Sequence, residues 1–339
     1  MYPASHYKEI VGHQVQCTLC PHRCKLQPGQ YGKCHTRVNK GGNLYSLSYG
    51  VLSAISRDPI EKKPLYHFLP GRYILSIGGY GCNFRCDFCQ NCGISQADET
   101  AFGLYPSRSP EDLVVKAVTE EHNIGLAYTY NEPTMYFEYM RDCASKVREQ
   151  GLMNVMITNG YMNKEPLEEI LTLMDAFNID LKSFRNEFYR KRSAAELKPV
   201  LKTIERVARS DVHLELTFLI IPGQNDTEAE WIEMVNWINL YCGEDSILHV
   251  SKYFPRYRLR SSPTPTETMK RFIEIAREKI RYVYAGNNPE LPGHTFCPVC
   301  SSLLVERHQY SIRVPGLNGE GECMRCGTRI NGVFKQRIP

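Results

Sequence analysis

Tyr73-Ile74-Leu75-Ser76-Ile77-Gly78-Gly79-Tyr80-Gly81-Cys82-Asn83-Phe84-Arg85-Cys86-Asp87-Phe88-Cys89-Gln90-Asn91 runs a strand-like stretch into a glycine-rich loop with three cysteines. The spacing is CxxxCxxC. Three thiolates on one short loop can hold three irons of a 4Fe–4S cluster, leaving the fourth iron open to a substrate or cofactor. A structural zinc site wants a fourth ligand. Cys92 is the nearest candidate, but it lies beyond Gln90-Asn91 and would crowd the loop. The loop therefore reads as an iron–sulfur site with Cys82, Cys86 and Cys89 as ligands.

Working outward, strands and helices alternate from residue 73. Strand patterns fall at 73–77, 124–130, 153–158, 176–181, 212–221, 246–250 and 280–284. Helical patterns fall at 109–122, 133–150, 165–174, 194–210, 227–241 and 266–279. The first helix has a clear start, Ser109-Pro110-Glu111-Asp112, an N-cap followed by proline at the first helical position. Repeated βα units force parallel strands, because each return crossing needs a helix. The fold class is α/β, and the expectation is a partial TIM-like (β/α)6 barrel; an open doubly wound sheet is the competing architecture. In barrels of this kind chemistry gathers at the C-terminal strand ends. Those ends here carry Asn131-Glu132-Pro133, Thr158-Asn159-Gly160, Asp180-Leu181-Lys182 and Pro222-Gly223-Gln224-Asn225-Asp226.

CxxxCxxC with an aromatic, Phe88, before the last cysteine resembles the radical SAM superfamily. The run CNFRCDFCQN is most similar to its pyruvate formate-lyase activating enzyme branch, and within it the chain resembles the radical SAM component of the AmmeMemoRadiSam system. The resemblance implies that S-adenosylmethionine chelates the open iron and is reductively cleaved to methionine and a 5′-deoxyadenosyl radical, which takes hydrogen from a substrate. It implies cofactor contacts at Phe88, Glu132, Thr158, Asn159, Asp180 and Lys182, with Lys182 neutralising the methionine carboxylate. It also implies a low-potential electron donor and a protein or peptide substrate. The family's two glycines before Glu132 are absent, and Ile157 stands where the family has aspartate. Two rival functions are a non-catalytic iron–sulfur electron carrier and a radical enzyme that modifies RNA guided by its C-terminal unit.

The rest of the chain is set by cysteine. Of fourteen, eleven fall in three groups, and such close spacing in a chain with no signal-peptide pattern reads as metal binding in a reducing cytoplasm. Cys17, Cys20, Cys24 and Cys34 form a four-ligand set in a proline- and glycine-containing unit, residues 1–42. Zinc and a second iron–sulfur cluster are equally open there, and His22 or His35 can replace one thiolate. Cys297, Cys300, Cys323 and Cys326 form two knuckles of a zinc-ribbon-like unit, residues 291–339, with rubredoxin-like iron as the alternative to zinc. Residues 73–290 are the core barrel.

Residues 43–72 are a strand plus a proline-rich connector. The resembling family has a similar segment before its cluster loop, and it reads as a structured linker or a cover over the active-site mouth. Lys252 to Arg281 holds nine Lys/Arg against three Glu, a basic segment that offers weak support for a nucleic-acid partner. No apolar run is long enough to span a membrane.

Overall fold

Strand Tyr73–Gly78 is buried along all but its first residue and lies inside an eight-stranded sheet. In the computed structural model, which describes residues 1–336, seven strands of this sheet run parallel: Tyr73–Gly78, Asn123–Tyr128, Met153–Thr158, Ala176–Asp180, His213–Ile220, Ile247–Lys252 and Tyr282–Gly286. The last three residues of the 291–339 unit lie outside the described part. Six main helices join successive strands: Pro110–Thr119, Phe137–Glu149, Lys164–Leu171, Leu197–Ala208, Glu228–Cys242 and Thr266–Arg277. Strand order follows chain order and the two end strands do not pair, so the architecture is a partial barrel rather than a doubly wound sheet. The predicted cap is present: Ser109 accepts from the Asp112 N–H, and Asp112 reciprocates.

The eighth strand is Ala54–Pro59, antiparallel to Tyr73–Gly78 at the sheet edge. It falls within the expected connector. Pro59 is tolerated because an edge position leaves one side of the strand free of ladder bonds.

The rest of the connector does not cover the mouth, and that expectation is corrected. Ile60, Leu65, Phe68 and Leu69 are buried with Ile74, Ile124, Met153, Val155 and Ala176, mostly first-half residues of the parallel strands. The segment thus plugs the end opposite the cysteine loop, because its four apolar side chains find cover only inside. Polar bonds fix it. Glu215 accepts from the Tyr66 N–H at 2.9 Å and the His67 N–H at 2.7 Å, and Asn178 donates to the Pro64 carbonyl at 2.8 Å. His213 and His249 contact the same Glu215 carboxylate, at 2.9 and 2.6 Å, so this buried charge has a full set of partners.

The C-terminal unit, strands Thr295–Phe296, Leu303–His308 and Ser311–Arg313, closes this end. Cys297, Leu304, Val305 and Ile330 pack with Ile247, Tyr282 and Tyr284 at the start of the last two barrel strands. The N-terminal unit docks at the other end. Its Leu19 carbonyl accepts from the Asn163 N–H at 3.1 Å, and its Thr18 carbonyl from the Asn163 side chain at 2.6 Å. Arg37 forms a fully buried pair with Glu138 at 2.7 and 2.9 Å. The two cysteine-rich units therefore sit at opposite ends of the barrel.

Candidate functional site at the cysteine loop

The loop leaves its strand through Gly78, Gly79 and Gly81. Gly81 has φ +78°, and an added Cβ would stand 2.5 Å from Thr36 Cγ2 and 2.7 Å from the Cys34 carbonyl oxygen. Only glycine lets the N-terminal unit come this close. Beyond it, the loop is held from several sides. Cys82 Sγ accepts from the Phe84 N–H at 3.3 Å and from Asn159 Nδ2 at 3.7 Å, and Cys86 Sγ lies 3.2 Å from Ser193 Oγ. The N–H groups of Arg85 and Asp87 donate to the carbonyls of Ser193 and Arg192, at 2.9 and 3.1 Å. Arg192 also pairs with the Asp87 carboxylate at 2.8 Å.

Burial pushes the Cys82 thiol well above its ordinary pKa. Burial likewise raises Cys86 to about 11, against the opposing pull of Lys182 and Ser193. Three such thiols become thiolates when a metal takes the proton's place. One ion does not suit them: among the described residues, the only group with ligand atoms all within 4.8 Å of one another is the C-terminal set. Three separated sulfurs on one loop, with N–H donors and a lysine nearby, fit a cluster of several irons.

The strand-end residues expected at the cofactor gather on two flanks. On one flank Glu132 is buried, and its Oε1 accepts from the Thr134 N–H at 3.1 Å and hydroxyl at 2.5 Å and from the Thr158 hydroxyl at 2.8 Å. Its Oε2 accepts from the Asn159 N–H at 2.9 Å. Burial raises the Glu132 pKa, opposed by these donors. The carboxylate is thus spent on holding Thr158 and Asn159, and Asn159 in turn bonds Asn83 at 2.8 Å and reaches Cys82. On the other flank Lys182 Nζ sits 2.9 Å from Asp180. Burial works against the Lys182 ammonium, but Asp180 and Cys86 outweigh it, so its pKa is raised and it stays charged. Asn225 donates to the Lys182 carbonyl at 2.7 Å, and the Lys182 N–H donates to the Tyr189 hydroxyl at 3.0 Å. Phe88 is buried, its ring 5.8 Å from that of Phe188.

Residues 76–238 match the radical SAM superfamily. An uncharacterised protein of Methanocaldococcus jannaschii is 39% identical over 98% of this chain and all of its own length. Pyruvate formate-lyase 1-activating enzyme of Escherichia coli is 24% identical over 44% of this chain and 61% of its own. The chain belongs to the radical SAM superfamily. It is a radical SAM enzyme of the activating-enzyme-like branch, and the family brings an iron–sulfur cluster and S-adenosylmethionine. Among solved structures, SuiB of Streptococcus suis bound to its precursor peptide SuiA shares the fold, with a TM-score of 0.50 and 13% identity over 68% of this chain and 51% of that one. No helix among the described residues is long and apolar enough to cross a membrane.

Sequence reading missed several residues that brace this radical SAM loop. Asn83 stands between two of the cysteines, and its side chain donates to the Tyr161 carbonyl at 2.9 Å while accepting from Asn159. Residues Tyr189–Ser193 form a wide helical turn that clasps the loop. Their sequence, Tyr-Arg-Lys-Arg-Ser, looks like any solvated helix start, and nothing in it flags a partner 105 residues away. The C-terminal thiols are as the ribbon reading expects. Cys297 and Cys326 are 3.5 Å apart, and Cys300 and Cys323 3.6 Å. These separations suit one tetrahedral ion with Zn–S bonds of about 2.3 Å.

Proposed function

We propose that Cys82, Cys86 and Cys89 hold a 4Fe–4S cluster at which S-adenosylmethionine is reductively cleaved, and that the enzyme acts on a protein or peptide. When bound, the cluster supplies the electron that splits the cofactor into methionine and a 5′-deoxyadenosyl radical. One observation carries this reading: Cys82 meets the Glu132–Asn159 brace on one side, and on the other the charged Lys182 of the Lys182–Asp180 pair acts on Cys86. Lys182 would meet the methionine carboxylate, since a carboxylate leaving water needs a cationic partner. Glu132 acts through the Thr158 and Asn159 loop that it fixes. Phe88 and the clasping turn help keep water from the loop.

The peptide reading is supported by the precursor peptide bound in SuiB, and by the loop after strand Ile247–Lys252. That loop exposes Phe254, Arg256, Arg258 and Arg260 and donates two backbone N–H groups, both at 2.9 Å, to the Asp87 carbonyl beside the cluster cysteines. The ribbon packs at the far end of the barrel, so guidance of RNA by the ribbon loses its geometric support. The test is anaerobic reconstitution followed by dithionite and S-adenosylmethionine. The protein should release 5′-deoxyadenosine, and Cys82→Ala should abolish that release. A fully loaded wild-type cluster that yields none overturns the proposal.

A further inference from the structure

We infer that Cys17, Cys20, Cys24 and Cys34 bind a second 4Fe–4S cluster, not zinc. All four thiols line one cavity, together with Leu19, His22, Arg37 and Asn83. The cavity they frame is small, about 20 Å³, and partly open to solvent. The size of the thiol set decides more: four thiolates about 2.3 Å from one ion must touch each other. The same molecule supplies the contrast. The C-terminal thiols all lie within 4.8 Å of one another, and among the described residues the N-terminal four do not form such a group. One set is drawn to the size of a single ion, and the other is spaced more widely.

The wall of the cavity is also built for sulfide. Arg37 is 1% exposed, and its Nε–H has no hydrogen-bond partner, although the rest of the guanidinium is bonded to Glu138 and the Ser5 carbonyl. A buried donor without an acceptor is unfavourable, and inorganic sulfide at the face of a cluster would supply one.

The position adds a consequence. Asn83 lines this cavity while its side chain bonds Asn159 and lies 3.9 Å from Cys82 Sγ. His22 contacts the Asn83 carbonyl at 2.7 Å. A single residue thus separates the two cysteine sets, placing a second one-electron centre directly behind the first. The ribbon, at the other end of the barrel, has no such adjacency.

Metal analysis of anaerobically reconstituted full-length protein tests this without any activity assay. About eight irons, eight sulfides and one zinc per chain support the inference. About four irons with two zincs overturn it, and about six irons overturn the four-iron assignment. A Cys17→Ser/Cys20→Ser variant should lose half the iron while its remaining cluster keeps an electron paramagnetic resonance signal that shifts on adding S-adenosylmethionine. Retention of all the iron would count against the assignment. Since that variant can unfold locally, Cys82→Ala/Cys86→Ala/Cys89→Ala is measured too. About four irons and an unshifted signal are expected, and zinc in place of iron overturns the inference. The reciprocal pair separates failure of this site from failure of the first.

Discussion

Glu138→Gln should loosen the N-terminal unit from the barrel while leaving the barrel itself intact. The Arg37–Glu138 pair has both side chains 1% exposed and is bidentate at 2.7 and 2.9 Å, and Ser5 adds its N–H and hydroxyl to the same carboxylate oxygen at 2.8 and 2.9 Å. At an effective dielectric near 20, opposite charges about 3 Å apart attract by roughly 6 kcal/mol before desolvation is subtracted. Removing one partner of a buried pair costs about 3–5 kcal/mol, because the survivor stays buried without compensation. A local opening equilibrium should therefore shift by roughly 10²- to 10⁴-fold. Hydrogen exchange reads this directly. Amides of strands Gln14–Cys17 and Arg37–Lys40 should exchange faster, while those of Met153–Thr158 serve as the unchanged reference.

An Arg37→Met/Glu138→Met variant should recover much of the loss, since two apolar groups leave no lone charge. The effect also depends on pH. Burial alone would raise the Glu138 pKa, but Arg37 and the Ser5 N–H outweigh it and hold it below the ordinary carboxylate range. A depressed folded pKa means that the contribution is complete above the unfolded value of about 4.3 and fades as pH falls through the folded one. The gap between wild type and variant should narrow on acidification below about pH 4. A change under about tenfold at neutral pH, or equal acceleration in the barrel, would refute the reasoning.

Three further outcomes follow from the site and its supports. Lys182→Ala should weaken S-adenosylmethionine binding by roughly 10- to 100-fold, the worth of a charge-assisted hydrogen bond, with cluster iron unchanged. Equilibrium dialysis measures it, and a shift under twofold would remove Lys182 from the cofactor site. Gly81→Ala forces a Cβ against Thr36 and the Cys34 carbonyl at positive φ. It should cost about 1–3 kcal/mol and lower iron retention in anaerobic gel filtration; full retention with wild-type melting contradicts the close approach. Cys326→Ser should remove one zinc per chain and lower thermal stability, yet leave 5′-deoxyadenosine formation per folded molecule intact, because the ribbon lies at the far end. Loss of turnover in a folded sample would argue against that separation.

The barrel was legible because its signals are local. Periodicity located all seven parallel strands and six helices, and Ser109-Pro110 marked a helix start that the structure caps as expected. The edge strand Ala54–Pro59 was not legible, since its pairing depends on a neighbour across a loop and its sequence, Ala-Ile-Ser-Arg-Asp-Pro, ends in residues that disfavour strands. The place of the 60–70 plug was hidden for the same reason: which end of a barrel an apolar segment fills is a tertiary choice. At the site, the family resemblance pointed to Glu132 and Lys182, but a matched motif says nothing of orientation. Only the structure turns the Glu132 carboxylate inward onto Thr134, Thr158 and Asn159. Asn83 sat in full view inside the cysteine run and carried no chemical signal of its own.

The plug under the barrel also sets a clock on synthesis. His67 bonds the carbonyl of Asn331, and Leu69 that of Val333, so the plug finds its last partners 264 residues further along the chain. At about 5–20 residues per second, the ribosome takes roughly 13–50 s to deliver them. Until the ribbon emerges, the plug lacks these partners and the underside of the growing sheet lacks its cover.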